Sequence, residues 1–332
     1  MAGNIVKNNM ENKNLKKILV IRLGALGDLL LSFAPFSAIR THHSGAHITL
    51  LTRPEYVELM GASPWFNAIK CDGKKYNPLS LWHLRRWILS QNFDYIYDLQ
   101  TSGRSTRYLK MLYPHHIASN SIWHKSSECH DSVERTKLHT IERQKQQLAL
   151  SGIFVEGDFD KNWLIKNLDG GKNINGKNFL QKHKIKCPYA LLIPGGSAHR
   201  PEKQYGAENY GMLAKMIREN NILPIIIGTK LEANIATTIT NICPDAIDMT
   251  GKTSLFELAF LAKNADFAIG NDTGPMHLIS LMDCKSIVLF SNMSDPSLCG
   301  QRGKDVQYIK NEVGKKLQNL PIDIIAKTLS MG

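Results

Sequence analysis

Lys17–Leu23 (KILVIRL) is an apolar run rich in β-branched residues that breaks into Gly24-Ala25-Leu26-Gly27-Asp28, after which a helical pattern continues to Arg40. Strand, glycine turn and helix in that order open a parallel α/β unit. Further strand candidates follow at His47–Leu51, Ala68–Cys71, Tyr95–Leu99 and His116–Ala118. Helical stretches separate them near Glu55–Met60, Leu79–Ser90, Gly103–Leu112 and Ile141–Ser151. Between Leu168 and Lys186 the composition shifts to Asn, Gly and Lys, as at the end of a domain. A second alternating series then begins, with strands at Tyr189–Ile193, Leu223–Ile227, Ala246–Met249, Phe267–Ile269 and Ser286–Phe290. The chain of 332 residues therefore reads as two Rossmann-like domains of parallel sheet, residues 1–175 and 176–332, with the amphipathic stretch Pro321–Leu329 a candidate to cross back onto the first.

Composition narrows the classes. With 43% hydrophobic and 21% charged residues the chain is globular, and no apolar run is long enough to span a bilayer. The first seventeen residues have no apolar h-region, which points to a cytoplasmic protein. Six dispersed cysteines without a C-x-x-C pair argue against a disulfide framework or a structural zinc site. The net charge of +12 asks for an anionic partner, but the basic residues are scattered and no nucleic-acid module is present.

In open α/β sheets ligands gather at the carboxyl ends of strands, and four such places carry chemistry. Gly24 and Gly27 let another molecule approach the backbone, while Asp28 sits in the opening turn of a helix, where it also reads as a dipole-stabilising acid. The glycines stand three apart and the third of G-x-G-x-x-G is absent, so no dinucleotide cofactor is expected. Pro194-Gly195-Gly196-Ser197, with Lys203 downstream, forms a possible phosphate cradle. Asn271-Asp272-Thr273-Gly274, then Pro275 and His277, is richer than one helix cap requires. Asp248 ends a strand where ribose-binding acids often stand. Arg53, Arg104, Arg107 and Arg143 are candidates to hold an anionic acceptor. His115, His116, His124, Cys129, His130 and His139 crowd one stretch, in a spacing that better fits solvated loops than a metal site.

Taken together, Gly270–Leu278 (GNDTGPMHL), Val20–Arg40 (VIRLGALGDLLLSFAPFSAIR), Pro194-Gly195-Gly196 with Lys203, Gly251-Lys252-Thr253-Ser254-Leu255 and Phe290–Pro296 resemble glycosyltransferase family 9, the heptosyltransferases of the bacterial outer-membrane core. The resemblance spans residues 17 to about 300 and implies the GT-B architecture of two facing Rossmann domains. It further implies an inverting transfer of heptose from ADP-heptose to a lipopolysaccharide acceptor, without metal or other cofactor, at the cytoplasmic face of the inner membrane with peripheral contact. On that basis Asp28 is the general base and Lys203 neutralises the leaving diphosphate. Asp272, Thr273 and Gly274 resemble the donor-binding turn and Asp248 the acid on the ribose; Gly195, Gly196, Ser197, Asn271 and His277 are further donor candidates, and Gly24, Gly27 and the four arginines remain candidates for the acceptor side. The chain departs from the family at Glu202-Lys203-Gln204-Tyr205 and at Ser291-Asn292-Met293-Ser294, both of which bear on donor recognition. Transfer to protein or another glycan, a GT-B sugar-nucleotide epimerase and a non-catalytic sensor are the competing readings.

Overall fold

The computed structural model describes residues 15–72, 77–110, 112, 137–166, 176–185, 188–196 and 203–329. The first half runs β1 (Lys17–Ile21), α1 (Leu26–Leu30), α2 (Phe33–His42), β2 (His47–Thr52), α3 (Val57–Gly61), β3 (Ala68–Cys71), α4 (Pro78–Gln91), β4 (Tyr95–Asp98) and α5 (Gly103–Lys110). Three helices follow: α6 (Thr140–Ala149), α7 (Asn162–Lys166) and α8 (Gly176–Lys182). The second half is β5 (Tyr189–Ile193), α9 (Ala207–Glu219), β6 (Leu223–Ile226), α10 (Ala233–Ile242), β7 (Ile247–Asp248), α11 (Leu255–Asn264), β8 (Phe267–Asn271), α12 (Gly274–Leu281), β9 (Ser286–Phe290), α13 (Pro296–Cys299), β10 (Val306–Lys310) and α14 (Ile322–Leu329).

Two parallel sheets result, ordered β3-β2-β1-β4 and β10-β9-β8-β5-β6-β7. Both are doubly wound α/β sheets, the GT-B architecture expected from the sequence. Central strands read as continuous apolar runs because helices cover both faces: β5, YALLI, is buried at all five positions. In each sheet the strand order reverses at the strand that opens the half, so a crevice forms at its carboxyl end. Those crevices hold Asp28, after β1, and Gly195, after β5.

Three features differ from the sequence reading. The helix expected to run unbroken to Arg40 is interrupted at Leu31 and Ser32. Ser32 N–H bonds the Leu29 carbonyl, while its hydroxyl takes the Asp28 carbonyl that a continuing helix would have used. β10 has no counterpart in the sequence reading, since it is an edge strand with one fully buried residue in five. The stretch offered as crossing back forms α14, and its Ile325 and Leu329 lie instead in the core of the second half with Leu213 and Ile226, because its apolar stripe matches that surface. The expected boundary at 175/176 adjoins residues outside the described set, and the strand expected at 116–118 lies wholly outside it.

Candidate active site

The two motifs that stand far apart in sequence meet in space. α1 packs on α12, and glycines make the approach possible. A Cβ on Gly27 would lie 2.6 Å from Cδ2 of His277, and one on Gly274 would lie 2.9 Å from Cβ of Leu26. The helix carrying Asp28 and the helix opened by Asp272-Thr273 therefore touch with no side chain between them at these points. Other ties brace the same junction: His139 bonds the Gly300 carbonyl at 3.0 Å, Thr140 the Leu298 carbonyl at 3.3 Å, and Lys161 pairs with Asp283 at 3.0 Å.

Asp28 stands in the first turn of α1 with its side chain 44% exposed. Arg22, the last polar residue of KILVIRL, is buried beneath it. Its guanidinium donates to the Asp28 carbonyl at 3.1 and 2.8 Å and to the Leu99 carbonyl at 2.6 Å, and lies 3.3 Å from the Asp28 carboxylate. Burial lowers the Arg22 pKa, against the pull of Asp28 and Asp98. Gly24 is needed here too, since a Cβ would fall 2.9 Å from that of Asp28.

Across the junction Asp272 follows β8. Its carboxylate receives Lys203 at 3.3 Å and Gln301 at 3.2 Å, in a setting where the Lys203 and Asp272 side chains are 15% and 11% exposed. Asn271 is wholly buried and its amide is fully engaged: it donates to the Pro194 and Gly195 carbonyls and accepts from Tyr205 N–H and the Tyr210 hydroxyl. It knits the Gly195 and Lys203 loops together and presents nothing to a ligand. Thr273 caps α12 without a side-chain cap bond, and its hydroxyl is buried with no partner among the described residues, a group that a ligand in the adjoining cavity would satisfy.

That cavity, about 410 Å³, is bordered by Gly195, Gly196, Thr229, Glu232, Ser254 and Asp272 to Pro275. The N-termini of α11 and α12 both open onto it, with first-turn N–H groups unpaired within the helix and the positive ends of both dipoles converging. Besides Asp272, its acid is Glu232, which also accepts Thr229 N–H and hydroxyl at 2.7 and 2.6 Å. Asp248 does not border the cavity. It lies on the two-residue edge strand β7, where Thr250 N–H and hydroxyl take its carboxylate at 2.8 and 2.6 Å and Lys252 stands 3.5 Å away. Burial opposes ionisation there, but those hydrogen bonds outweigh it and the pKa falls.

His277 is buried at the seam. Burial pushes its pKa down to about 4 despite the opposing pull of Asp272 and Asp28, and its Nδ1 has no partner among the described residues. Both carboxylates, together with Lys203, also act on the Cys299 thiol, whose pKa burial raises, so Asp28, Lys203 and Asp272 share one neighbourhood. A separate cavity of about 510 Å³, bordered by His277, α1, α6 and the turn at Arg302 to Lys304, runs between the halves.

The arginines divide. Arg143 reaches Thr140 at 3.1 Å, acts electrostatically on Arg22, and has a buried Nε with no acceptor among the described residues. Arg104 is engaged with the buried Asp72 at 2.7 Å and with Tyr108. Arg53 lies 3.9 Å from Glu55, and Arg107 is exposed on α5. Ser197 and the histidine cluster other than His139 lie outside the described residues; His139 caps α6.

Arg22, Glu232 and Gln301 are absent from the sequence candidates. A lone charge ending an apolar strand marks Arg22, and the capping box Thr229-Lys230-Leu231-Glu232 after β6 marks Glu232; Gln301 has no local signal.

Comparison with known proteins gives the chain's relatives. A lipopolysaccharide heptosyltransferase 1 of Campylobacter coli is 25% identical over 319 residues, 91% of each chain. The corresponding Salmonella typhimurium protein is 24% identical over 250 residues, 73% of this chain and 72% of its own. Among solved structures, a family 9 glycosyltransferase from Veillonella parvula superposes with a TM-score of 0.71 at 18% identity, covering 95% of this chain and 89% of that one. The E. coli heptosyltransferase WaaC with ADP also gives 0.71, at 16% identity, covering 95% and 99%. These likenesses concern the fold. The family model for glycosyltransferase family 9 (heptosyltransferase) matches residues 81–319, well over half of the sequence, and with that the chain belongs to glycosyltransferase family 9 and is a glycosyltransferase.

Proposed function

We propose that the enzyme moves a heptose from ADP-heptose onto an inner-core sugar of lipopolysaccharide, inverting the anomeric centre without a metal ion, in peripheral contact with the cytoplasmic face of the inner membrane. The observation that carries this reading is the α1–α12 seam, which sets Asp28 and the Asp272–Gly274 turn on one cleft. The names of the relatives, lipopolysaccharide heptosyltransferases, support the donor and acceptor class.

In this reading the donor's nucleotide occupies the 410 Å³ cavity, with Glu232 on the ribose hydroxyls and the diphosphate against the N-termini of α11 and α12. The acceptor lies on the side of α1, its anionic groups near Arg143. Asp28 takes the proton of the acceptor hydroxyl as that oxygen attacks the anomeric carbon from the face opposite ADP. The bond from that carbon to the diphosphate oxygen breaks in the same step. Lys203 and the α12 N–H groups, already oriented, receive the charge that develops on the leaving group. Asp272 holds Lys203 in place until the phosphates compete for it.

The test is nucleotide release from a panel of ADP- and UDP-sugars with a heptose-deficient lipopolysaccharide acceptor. Acceptor-dependent ADP release from ADP-heptose, unaffected by a chelator and reduced about 10³-fold in Asp28→Asn, is the expected outcome. No turnover of any ADP-sugar with this acceptor overturns the lipopolysaccharide assignment; release onto protein or another glycan moves the substrate while leaving Asp28 its role.

A further inference from the structure

We propose that the outer face of α4 and α5 docks on an anionic phospholipid bilayer. The proposal extends the reading that the acceptor is membrane-borne, but its test uses neither donor nor acceptor.

α4 is a surface helix with an unusual outer stripe. Leu79 is 64% and Trp82 49% exposed, and His83, Arg86 and Ser90 continue the exposed stripe at helical spacing. Among the described residues, such large apolar side chains on an outer face have no packing reason to be there. The charges on the two helices themselves have one sign. Residues 78–91 contain Arg85 and Arg86 and no carboxylate; residues 103–110 contain Arg104, Arg107 and Lys110 and again none. The nearby Asp72 is buried and taken by Arg104. The Arg86 guanidinium lies 5.5 Å from the Trp82 ring centre, and Lys70 lies 5.0 Å from that of Trp87. Leucine and tryptophan interleaved with arginine, without acids, is the chemistry of a helix lying in the headgroup region of an anionic membrane. A protein partner would not require the exclusion of every carboxylate from both helices.

Position agrees with charge. Leu84, Ile88, Tyr108 and Leu109 anchor α4 and α5 on one face of the first sheet, in a core made of first-half residues alone. The core on the other face is continuous with the second half. The α4–α5 face is therefore turned away from the second half, and movement between the halves leaves it uncovered. Both helices also begin at the carboxyl edge of the sheet, the edge that carries Asp28. A bilayer meeting the first turns of α4 would lie beside the acceptor side of the cleft.

The experiment is co-sedimentation of the full chain with phosphatidylethanolamine–phosphatidylglycerol vesicles, against phosphatidylcholine vesicles and a salt series. The wild type is expected to partition onto the anionic vesicles and to come off as salt rises. Leu79→Glu/Trp82→Glu and, independently, Arg86→Glu should each lower partitioning about tenfold with melting unchanged, while Val313→Glu, at a residue 98% exposed in the second half, should leave it as it was. Failure to bind anionic vesicles, equal binding to phosphatidylcholine, or wild-type partitioning of the α4 variants overturns the proposal. Because no sugar is transferred in the assay, such a failure is separate from any failure of the proposed reaction.

Discussion

Arg22 donates to the Asp28 and Leu99 carbonyls, and the Ser32 hydroxyl donates to the Asp28 carbonyl as well. Asp28, the proposed base, is thus fixed through its own backbone, while its carboxylate, 3.3 Å from Arg22, stays 44% exposed. Arg22→Leu is expected to strand the buried Leu99 carbonyl and leave that of Asp28 to the Ser32 hydroxyl alone, costing roughly 2–4 kcal/mol of stability; guanidinium unfolding measures this, and a loss under 1 kcal/mol would deny Arg22 that role. Lys203→Met should reduce kcat about 10²- to 10³-fold, with the deficit largest for donors whose leaving group is least stabilised on its own. A loss confined to KM would mean that Lys203 binds the donor without stabilising the departing diphosphate. Asp28 and the Asp272 turn were readable in sequence because glycines and polar residues cluster where apolar strands stop. Asn271 was readable in the same way but turned out to be spent on two loops, since sequence shows that a polar residue is present and not which backbone groups claim it.

Elements were legible in proportion to their burial. Central strands such as β5 and β9 announce themselves by unbroken apolar runs, whereas β10 alternates exposed and buried residues too weakly to stand out. The break between α1 and α2 escaped sequence reading because periodicity does not record that the Ser32 hydroxyl and Arg22 both take the Asp28 carbonyl. The contact of α1 with α12 escaped it because it is tertiary. At that contact Gly27→Val is expected to drive side-chain atoms into the His277 ring, separating the helices at a cost of about 1–3 kcal/mol and cutting turnover. Gly45→Ala, where an added Cβ meets nothing within 4 Å, serves as the control and should stay within about 0.5 kcal/mol of wild type. Equal effects from the two substitutions would remove the seam from the explanation.

For the whole molecule, two buried histidines tie stability to pH. Burial lowers His43 to about 4, aided by His42, Lys16 and Arg40, and lowers His277 to about 4 as well. In the unfolded chain each takes up a proton near its ordinary value of about 6.5. Between those values the unfolded state binds more protons, so stability rises with pH through this window and is lost as pH falls from about 6.5 toward 4. The full loss is up to about 3 kcal/mol for each histidine; buried Asp98, whose pKa burial raises, works in the opposite direction. Unfolding by guanidinium at successive pH values should show the decline, and His43→Gln should flatten it; a flat profile in the wild type would contradict this account. The two-sheet plan was legible from the alternation of strand and helix, but the way one half faces the other was not, since periodicity within a segment carries no address for its partner. That seam also limits how the halves can be recombined. Gly27 belongs to one half and His277 to the other, as Leu26 does opposite Gly274. A hybrid made by grafting a foreign second half onto this first half will keep this seam only if the graft brings a flat ring and a glycine to those two points, so the halves are heirlooms passed on as a pair rather than interchangeable parts.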